Sequence, residues 1–281
     1  MRTLVIADIH GGHKTLIQCF ERSKFDYDND RLIVIGDVCD GWDETKQVID
    51  ELLKVKNLIF IMGNHDMWVL DWMEDDTHSM DNMLWVKQGG RMTLKSYVYE
   101  DHLDIPPTHI DFLKNKSHLW YEENGILFVH GGIREGSKVE DNHAQDMMWD
   151  RDLITAAWKN LKANKEQKLT PYKEVWVGHT STWVFGSGLP IIGTDVIDVD
   201  TGGGYEGKLT IMDLDTKEYW QSDKASDLYV PALPLIWNTT KECRLCTHPI
   251  IHKDGLCAVC WNIETQVQEG LYREKIKHGL W

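Results

Sequence analysis

The chain has 281 residues, 42% hydrophobic and 27% charged, with a formal net charge of −15 at pH 7, enough for one substantial core and a small appended module. Such acidity excludes a nucleic-acid-binding surface over most of the protein, which would need clustered Lys and Arg. Apolar runs such as Leu32 to Ile35 and Leu58 to Met62 are far shorter than the ~20 residues that span a bilayer.

The N-terminal run Thr3 to Ala7 reads as a buried first strand, because it leads straight into Asp8 and His10 with no small-residue cleavage site. Lys14 to Arg22 places Leu16, Ile17 and Phe20 at helical spacing, Arg31 to Ile35 is a second strand, Glu44 to Lys54 a second helix and Leu58 to Met62 a third strand. This βαβαβ order predicts an α/β fold. Each strand ends in a polar cluster: Asp8-Ile9-His10, then Gly36-Asp37, then Gly63-Asn64-His65-Asp66. Ligands gather beyond the carboxyl ends of strands in open α/β sheets, so these clusters should converge.

From Met67 to Asn124 the pattern loosens into a stretch rich in Trp, Met, His and acidic residues, expected to be a mostly helical insertion or cap (67–124). Strand character returns at Gly125 to Val129, Val175 to Val177, Val196 to Val199 and Leu209 to Met212. Thr201-Gly202-Gly203-Gly204 is a turn between the last two. Residues 221–241, with Pro231 and Pro234, read as a linker after a domain of residues 1–220. Residues 242–281 form the appended module. There Cys243-x2-Cys246 and Cys257-x2-Cys260, ten residues apart, have the spacing of a tetrahedral structural zinc site in a treble-clef or zinc-ribbon finger. His248 and His252 lie in its loop, and Arg273, Lys275 and Lys277 make the tail basic enough for contact with a protein or nucleic-acid partner. Cysteines in this paired form suit a reducing, cytoplasmic compartment better than secreted disulfides. Cys19 is expected in the core, and Cys39 near the metals, where it would make the enzyme oxidation-sensitive.

Hard divalent metals want carboxylate and imidazole ligands, and a two-metal hydrolytic site needs one bridging ligand. Asp8 and His10, two apart at a strand end, Asp37 as the bridge, Asn64 through its carbonyl, His130 before Gly131-Gly132, and His179 after Gly178 supply such a set. Bound cations would also answer the repulsion between this acidic chain and a phosphate ester. Manganese, iron and zinc all suit these ligands.

The ordered motifs ADIHGG, GDVCD, GNHD, VHGG and GHT resemble those of the calcineurin-like metallophosphoesterases. They are similar above all to the phosphoprotein phosphatase branch, with its GDxHG, GDxxDRG, GNHE, HGG and GH, and to small members such as phage lambda phosphatase and the diadenosine tetraphosphate hydrolases. The resemblance implies two β-sheets packed face to face with helices outside. It implies one metal held by Asp8, His10 and Asp37 and a second by Asp37, Asn64, His130 and His179. Two such metals share and acidify one attacking water, so no covalent nucleophile is needed. His65 would then protonate the leaving oxygen, with Asp40 holding its imidazole charged and oriented. Where the branch has DRG, this chain has Asp40-Gly41-Trp42, and Met62 stands where an arginine often precedes GNHE. Arg151 is the remaining candidate for a phosphate grip, against a surface salt bridge to Asp150 or Asp152, and Lys14 is a weaker substitute. The leading expectation is a phosphomonoesterase of the Ser/Thr phosphoprotein phosphatase type. The alternatives are a nucleotide or dinucleoside polyphosphate hydrolase, and a catalytically weak phosphatase-fold binding protein.

Overall fold

The computed structural model describes residues 1–75, 85–99 and 102–229. The chain opens with β1 (Thr3–Ile6), α1 (His13–Ser23), β2 (Arg31–Ile35), α2 (Thr45–Leu52), β3 (Asn57–Ile61) and α3 (Asn64–Glu74). After two short strands that pair only with each other, β4 (Val98–Tyr99) and β5 (His102–Leu103), come β6 (Ser117–His118), β7 (Trp120–Glu123), β8 (Ile126–Val129) and β9 (Glu174–Val177). The last four strands are β10 (Ile191–Ile192), β11 (Val196–Asp198), β12 (Lys208–Asp213) and β13 (Tyr219–Lys224).

Two sheets result, ordered β13-β12-β1-β2-β3-β6 and β10-β11-β9-β8-β7. Their centres are parallel: β1 with β2, β2 with β3, β8 with β9, and β9 with β11. Strand residues alternate between two buried environments, so the runs read as continuously apolar. Val5, Ile33, Ile35 and Ile61 of the first sheet meet Phe128, Trp176 and Ile197 of the second in a shared core. The intervening residues Leu4, Ile6, Leu32, Val34 and Phe60 face outward to α1, α2, α3 and the helix Pro107–Asn115, through Leu16, Phe20, Val48, Leu52, Val69 and Phe112. On the far side, Leu127, Val129, Val175 and Val177 pack under Met147, Leu153, Ile154 and Ala157 of helices Ala144–Trp149 and Asp152–Lys162. The architecture is the expected α/β one, two packed sheets with helices outside.

Two segments differ from their sequence reading. The 67–124 stretch is not wholly an insertion, since β6 extends the first sheet through β3 and β7 edges the second through β8. Its strands are short and flanked by aromatic and charged residues, which hides their period. The opening of the expected linker is regular structure instead: β13 pairs antiparallel with β12, and Arg22 and Gln18 of α1 bind Asp223 at 2.7 and 3.1 Å. A helix, Ala225–Leu228, follows. The Cys243, Cys246, Cys257 and Cys260 set lies outside the described residues. Among the described residues no helix is long and apolar enough to cross a membrane.

Candidate metal centre

Because the central strands are parallel, their carboxyl ends share one edge, and the chain delivers a polar side chain there from each. Asp8 follows β1, Asp37 follows β2, Asn64 begins α3 after β3, His130 follows β8 and His179 follows β9. All five are buried. The turns that aim them are strained: Asp8, His10, Asp37, Asp40 and His179 have φ of 54°, 49°, 52°, 69° and 65°, a left-handed region that non-glycine residues enter at a cost of about 1–3 kcal/mol each. Glycine is required where the turns touch the site. A Cβ on Gly63 would collide with the Asp37 carboxylate, and one on Gly178 with that of Asp8.

Asp66 holds the strained β2 turn. Its fully buried carboxylate accepts the backbone N–H of Asp37 at 2.7 Å, Val38 at 2.9 Å, Cys39 at 3.1 Å and Gly63 at 3.0 Å. Burial and the neighbouring Asp37 push its pKa up to about 6, against the pull of these donors.

Asp37 sits at the centre. Its Oδ2 lies 3.6 Å from His10 Nε2 and 3.3 Å from His130 Nε2, while Oδ1 accepts the His65 backbone N–H at 3.0 Å. One carboxylate therefore faces ring nitrogens on two sides, as a ligand bridging two cations must. His130 Nδ1 is 2.8 Å from the Ile35 carbonyl and can only donate there, which turns Nε2 toward Asp37 and, at 3.2 Å, Asn64 Oδ1: a donor to both in the charged ring, and a free lone pair for a cation in the neutral one. His10 Nδ1 likewise faces the Cys39 carbonyl at 3.0 Å, so its Nε2 is turned toward Asp8 and Asp37. His179 Nε2 is buried with no hydrogen-bond partner among the described residues. A buried ring nitrogen without a partner is costly, and a cation would satisfy it. Asp37, His130 and His179 offer atoms within 4.8 Å of one another, as do Asp37, His10 and His65. This oxygen and imidazole set fits two divalent cations. In the second group Asp8 is a better ligand than His65, whose Nδ1 is committed to Asp40 Oδ2 at 2.7 Å and whose ring is charged.

Burial disfavours charge on every group here, and the balance between nearby carboxylates and neighbouring rings decides which rings keep it. Burial lowers the pKa of His10 to about 4, and burial together with His130 lowers that of His179 to about 2. For His130, burial acts against the imidazolium, but the Asp37 carboxylate reverses this and raises the pKa to about 9. His65 follows the same pattern: Asp37 and Asp40 overcome burial and hold it at about 9. Asp37 stays well below the carboxylate range because His130 and His65 outweigh its burial, whereas burial and Asp200 raise Asp8 well above it.

Arg151 reaches the pocket, and its Nη1 donates to the His179 carbonyl at 2.9 Å and to Thr180 Oγ1 at 3.1 Å. Among the described residues it forms no ion pair with Asp150 or Asp152. Lys14 is not brought to the site. Its ammonium lies over the Tyr229 ring, 4.5 Å from the centroid, and donates to the Leu228 carbonyl at 3.3 Å, because α1 directs it toward Ala225–Leu228 rather than the pocket. Cys39 is fully buried, and burial with Asp66 and Asp40 raises its thiol pKa well above normal, which disfavours the thiolate that oxidation requires. Asp200, two residues past β11, and Tyr205 also line the pocket and were missed by sequence reasoning. Asp200 had the same signal as Asp8 and Asp37, an apolar strand ending in an acid, obscured by Asp198 within the strand.

The profile of the calcineurin-like phosphoesterase family matches residues 1–220. A symmetrical bis(5'-nucleosyl)-tetraphosphatase of Pseudomonas putida is 24% identical over 301 aligned positions, covering 85% of this chain and 99% of that protein. Serine/threonine-protein phosphatase 2 of Salmonella typhimurium is 23% identical, covering 74% and 90%. Among solved structures, one described provisionally as a diadenosine tetraphosphatase superposes with a TM-score of 0.56 at 15% identity, covering 78% of this chain and 92% of that one. A metallophosphoesterase from Sphaerobacter thermophilus superposes with a TM-score of 0.50 at 16% identity, covering 80% and 88%. These two likenesses speak to the fold.

Two outcomes are expected from this geometry. Asp66→Asn sets an amide NH2 against backbone N–H donors, so it should destabilise the fold by about 2–3 kcal/mol in denaturant unfolding and lower the metal content of purified protein. Divalent cations must displace the proton that Asp37 keeps on His130 up to about pH 9, so affinity should rise with pH below that value, by about tenfold per unit for each proton displaced. Calorimetry in buffers of different ionisation enthalpy measures the release, and a pH-independent affinity between pH 7 and 9 would contradict it.

Proposed function

Since the chain belongs to the calcineurin-like phosphoesterase family and is a hydrolase of phosphoric ester bonds, we propose that its substrates are nucleotides bearing a polyphosphate chain, of the dinucleoside polyphosphate class. Asp8, His10 and Asp37 would hold one divalent cation, and Asp37, Asn64, His130 and His179 the other. Bound there, the cations supply Lewis-acid polarisation of the phosphoryl oxygens and of the attacking water.

The observation that carries the substrate reading is the pocket wall beyond the donor cluster. It presents one guanidinium, Arg151, beside Trp149, Val184 and Tyr205, and Tyr205 is 64% exposed. A small monoester dianion is best gripped by paired arginines, whereas an exposed aromatic ring offers a stacking face to a nucleobase. The tetraphosphatase relatives, matched over nearly their full length, favour the same class.

Within this reading each remaining residue has a task. Arg151, fixed by the His179 carbonyl and Thr180, orients one phosphoryl group. His65 lines the pocket, and against burial the Asp37 and Asp40 carboxylates favour its charged form. With Nδ1 donating to Asp40, Nε2 is the nitrogen that gives a proton to the leaving oxygen.

A substrate panel tests the class. Metal-loaded protein should prefer a dinucleoside tetraphosphate to a phosphopeptide and to p-nitrophenyl phosphate by kcat/KM. Tyr205→Ala should raise KM about tenfold for the dinucleotide with little change for p-nitrophenyl phosphate. A phosphopeptide preference would favour the Ser/Thr phosphatase reading instead.

The acid role is tested separately. Because a general acid must hold its proton, activity on a poor leaving group should fall on the alkaline side as His65 loses it. His65→Asn should slow that substrate by roughly 10²-fold or more, with metal content unchanged and the alkaline limb abolished. Full rate in His65→Asn would remove the role.

A further inference from the structure

The segment from Trp85 to Ser96 does more than cover the first sheet. Trp85 is 1% exposed, and its indole Nε1 lies 3.1 Å from Asp40 Oδ1 and 2.9 Å from Oδ2. Thr93, on the helix Arg91–Ser96, is fully buried. Its hydroxyl donates to Asp40 Oδ1 at 2.7 Å while accepting the Asp40 backbone N–H at 2.8 Å. Thr45 Oγ1, 3.0 Å away, can donate to the same hydroxyl. The turn between these residues fits closely: Gly89, at φ 114°, lies against the backbone of Gly41, and a Cβ on Gly90 would collide with the Trp85 indole.

Asp40 needs this support. It is wholly buried, sits at a left-handed φ of 69°, and turns its Oδ2 to His65 Nδ1 at 2.7 Å. A buried carboxylate with one partner could rotate about its side chain. Donors on both oxygens fix its plane, and with it the plane of the imidazole it binds.

We propose that Trp85 and Thr93 are positioning residues that clamp Asp40 and thereby aim His65 Nε2 at the leaving oxygen. The inference rests on the reading of His65 as the acid. Neither residue lines the pocket, so both act through Asp40 and neither touches substrate. The geometry also explains why the 85–96 segment is built into the first sheet's outer layer, where Trp85 and Leu94 join the core: an aiming device must not move relative to what it aims.

The test uses the metal-loaded full chain and two phosphate esters of similar shape, phenyl phosphate with a poor leaving group and p-nitrophenyl phosphate with a good one. Trp85→Phe keeps the ring and removes the N–H, and Thr93→Val keeps the shape and removes the hydroxyl. Each should cut the ratio of the two kcat values, phenyl over p-nitrophenyl, by about tenfold, part of the 10²–10⁴ that general acids contribute. KM and metal content should stay within a factor of about two. Thr93→Ser should restore the ratio. In a His65→Asn background neither substitution should lower the ratio further, since positioning has nothing left to position.

If Trp85→Phe and Thr93→Val slow both esters equally, or remain additive with His65→Asn, the two residues are structural only and the proposal fails while the acid role stands. If His65→Asn itself leaves the ratio unchanged, the acid role fails and the positioning role with it. Should Trp85→Phe not fold, Thr93→Val with its serine rescue decides alone.

Discussion

A buried carboxylate that must stay ionised governs this molecule. Asp37 lies 2% exposed between two sheets, where burial alone would protonate it, and it stays charged because His130 and His65 both answer it. Much of the surrounding construction serves that condition. His130 is locked by the Ile35 carbonyl, His65 by Asp40, and the Asp37 backbone by Asp66. Divalent cations bound among these ligands would answer the same carboxylate and offset, at this edge, the chain's net charge of −15.

The strain of the site follows from the fold. Parallel strands in two facing sheets put their carboxyl ends along one edge, and a continued strand would keep Asp8 and His10 on one face but spread along it, about 3.3 Å per residue. The chain instead leaves the extended conformation at once, through left-handed residues at Asp8, His10 and Asp37. Those turns persist because buried hydrogen bonds determine them, above all the four that Asp66 accepts. The residues most needed for chemistry and those most needed to hold the backbone are thus neighbours in sequence, as in Asn64-His65-Asp66.

This adjacency explains what the sequence disclosed and what it concealed. The strands of the first βαβαβ unit and the polar residues closing them were legible because apolar runs bounded by Asp, Asn and His are rare enough to be noticed. Asp66 was visible only as the last member of the polar cluster after the third strand, since a side chain that accepts backbone N–H groups from a distant turn leaves no periodic mark. Trp85 and Thr93 were hidden for a related reason: their partner, Asp40, is more than forty positions away. β6 and β7 were too short to show a period. Lys14 was misplaced because closeness to a motif in sequence does not set the direction in which a helix points a side chain.

The loop after Asp40 departs from the phosphatase pattern at two adjacent positions. Gly41 stands where the pattern carries its arginine, and Trp42, which follows, lies flat on Tyr229 with ring centroids 4.6 Å apart and donates its indole N–H to the Gly203 carbonyl at 2.9 Å. The Tyr229 hydroxyl accepts the Lys14 backbone N–H and donates to Glu44, and the Lys14 ammonium covers the ring. At position 41, with a φ of 75°, a Cβ would lie 2.9 Å from that of His10 and 3.2 Å from the Gly204 carbonyl, so the loop as folded leaves no room for an arginine there. Trp42 beside it fastens the chain that follows β13 against α1 and the site loop. Gly204 lies against the His10 ring, which the exposed ring of Tyr205 borders, and Arg151 lines the same pocket. The stacked pair Trp42 and Tyr229 thereby ties the end of the phosphoesterase domain to the loop that carries Asp40, while the glycine before it lets that loop close on His10 and Gly204.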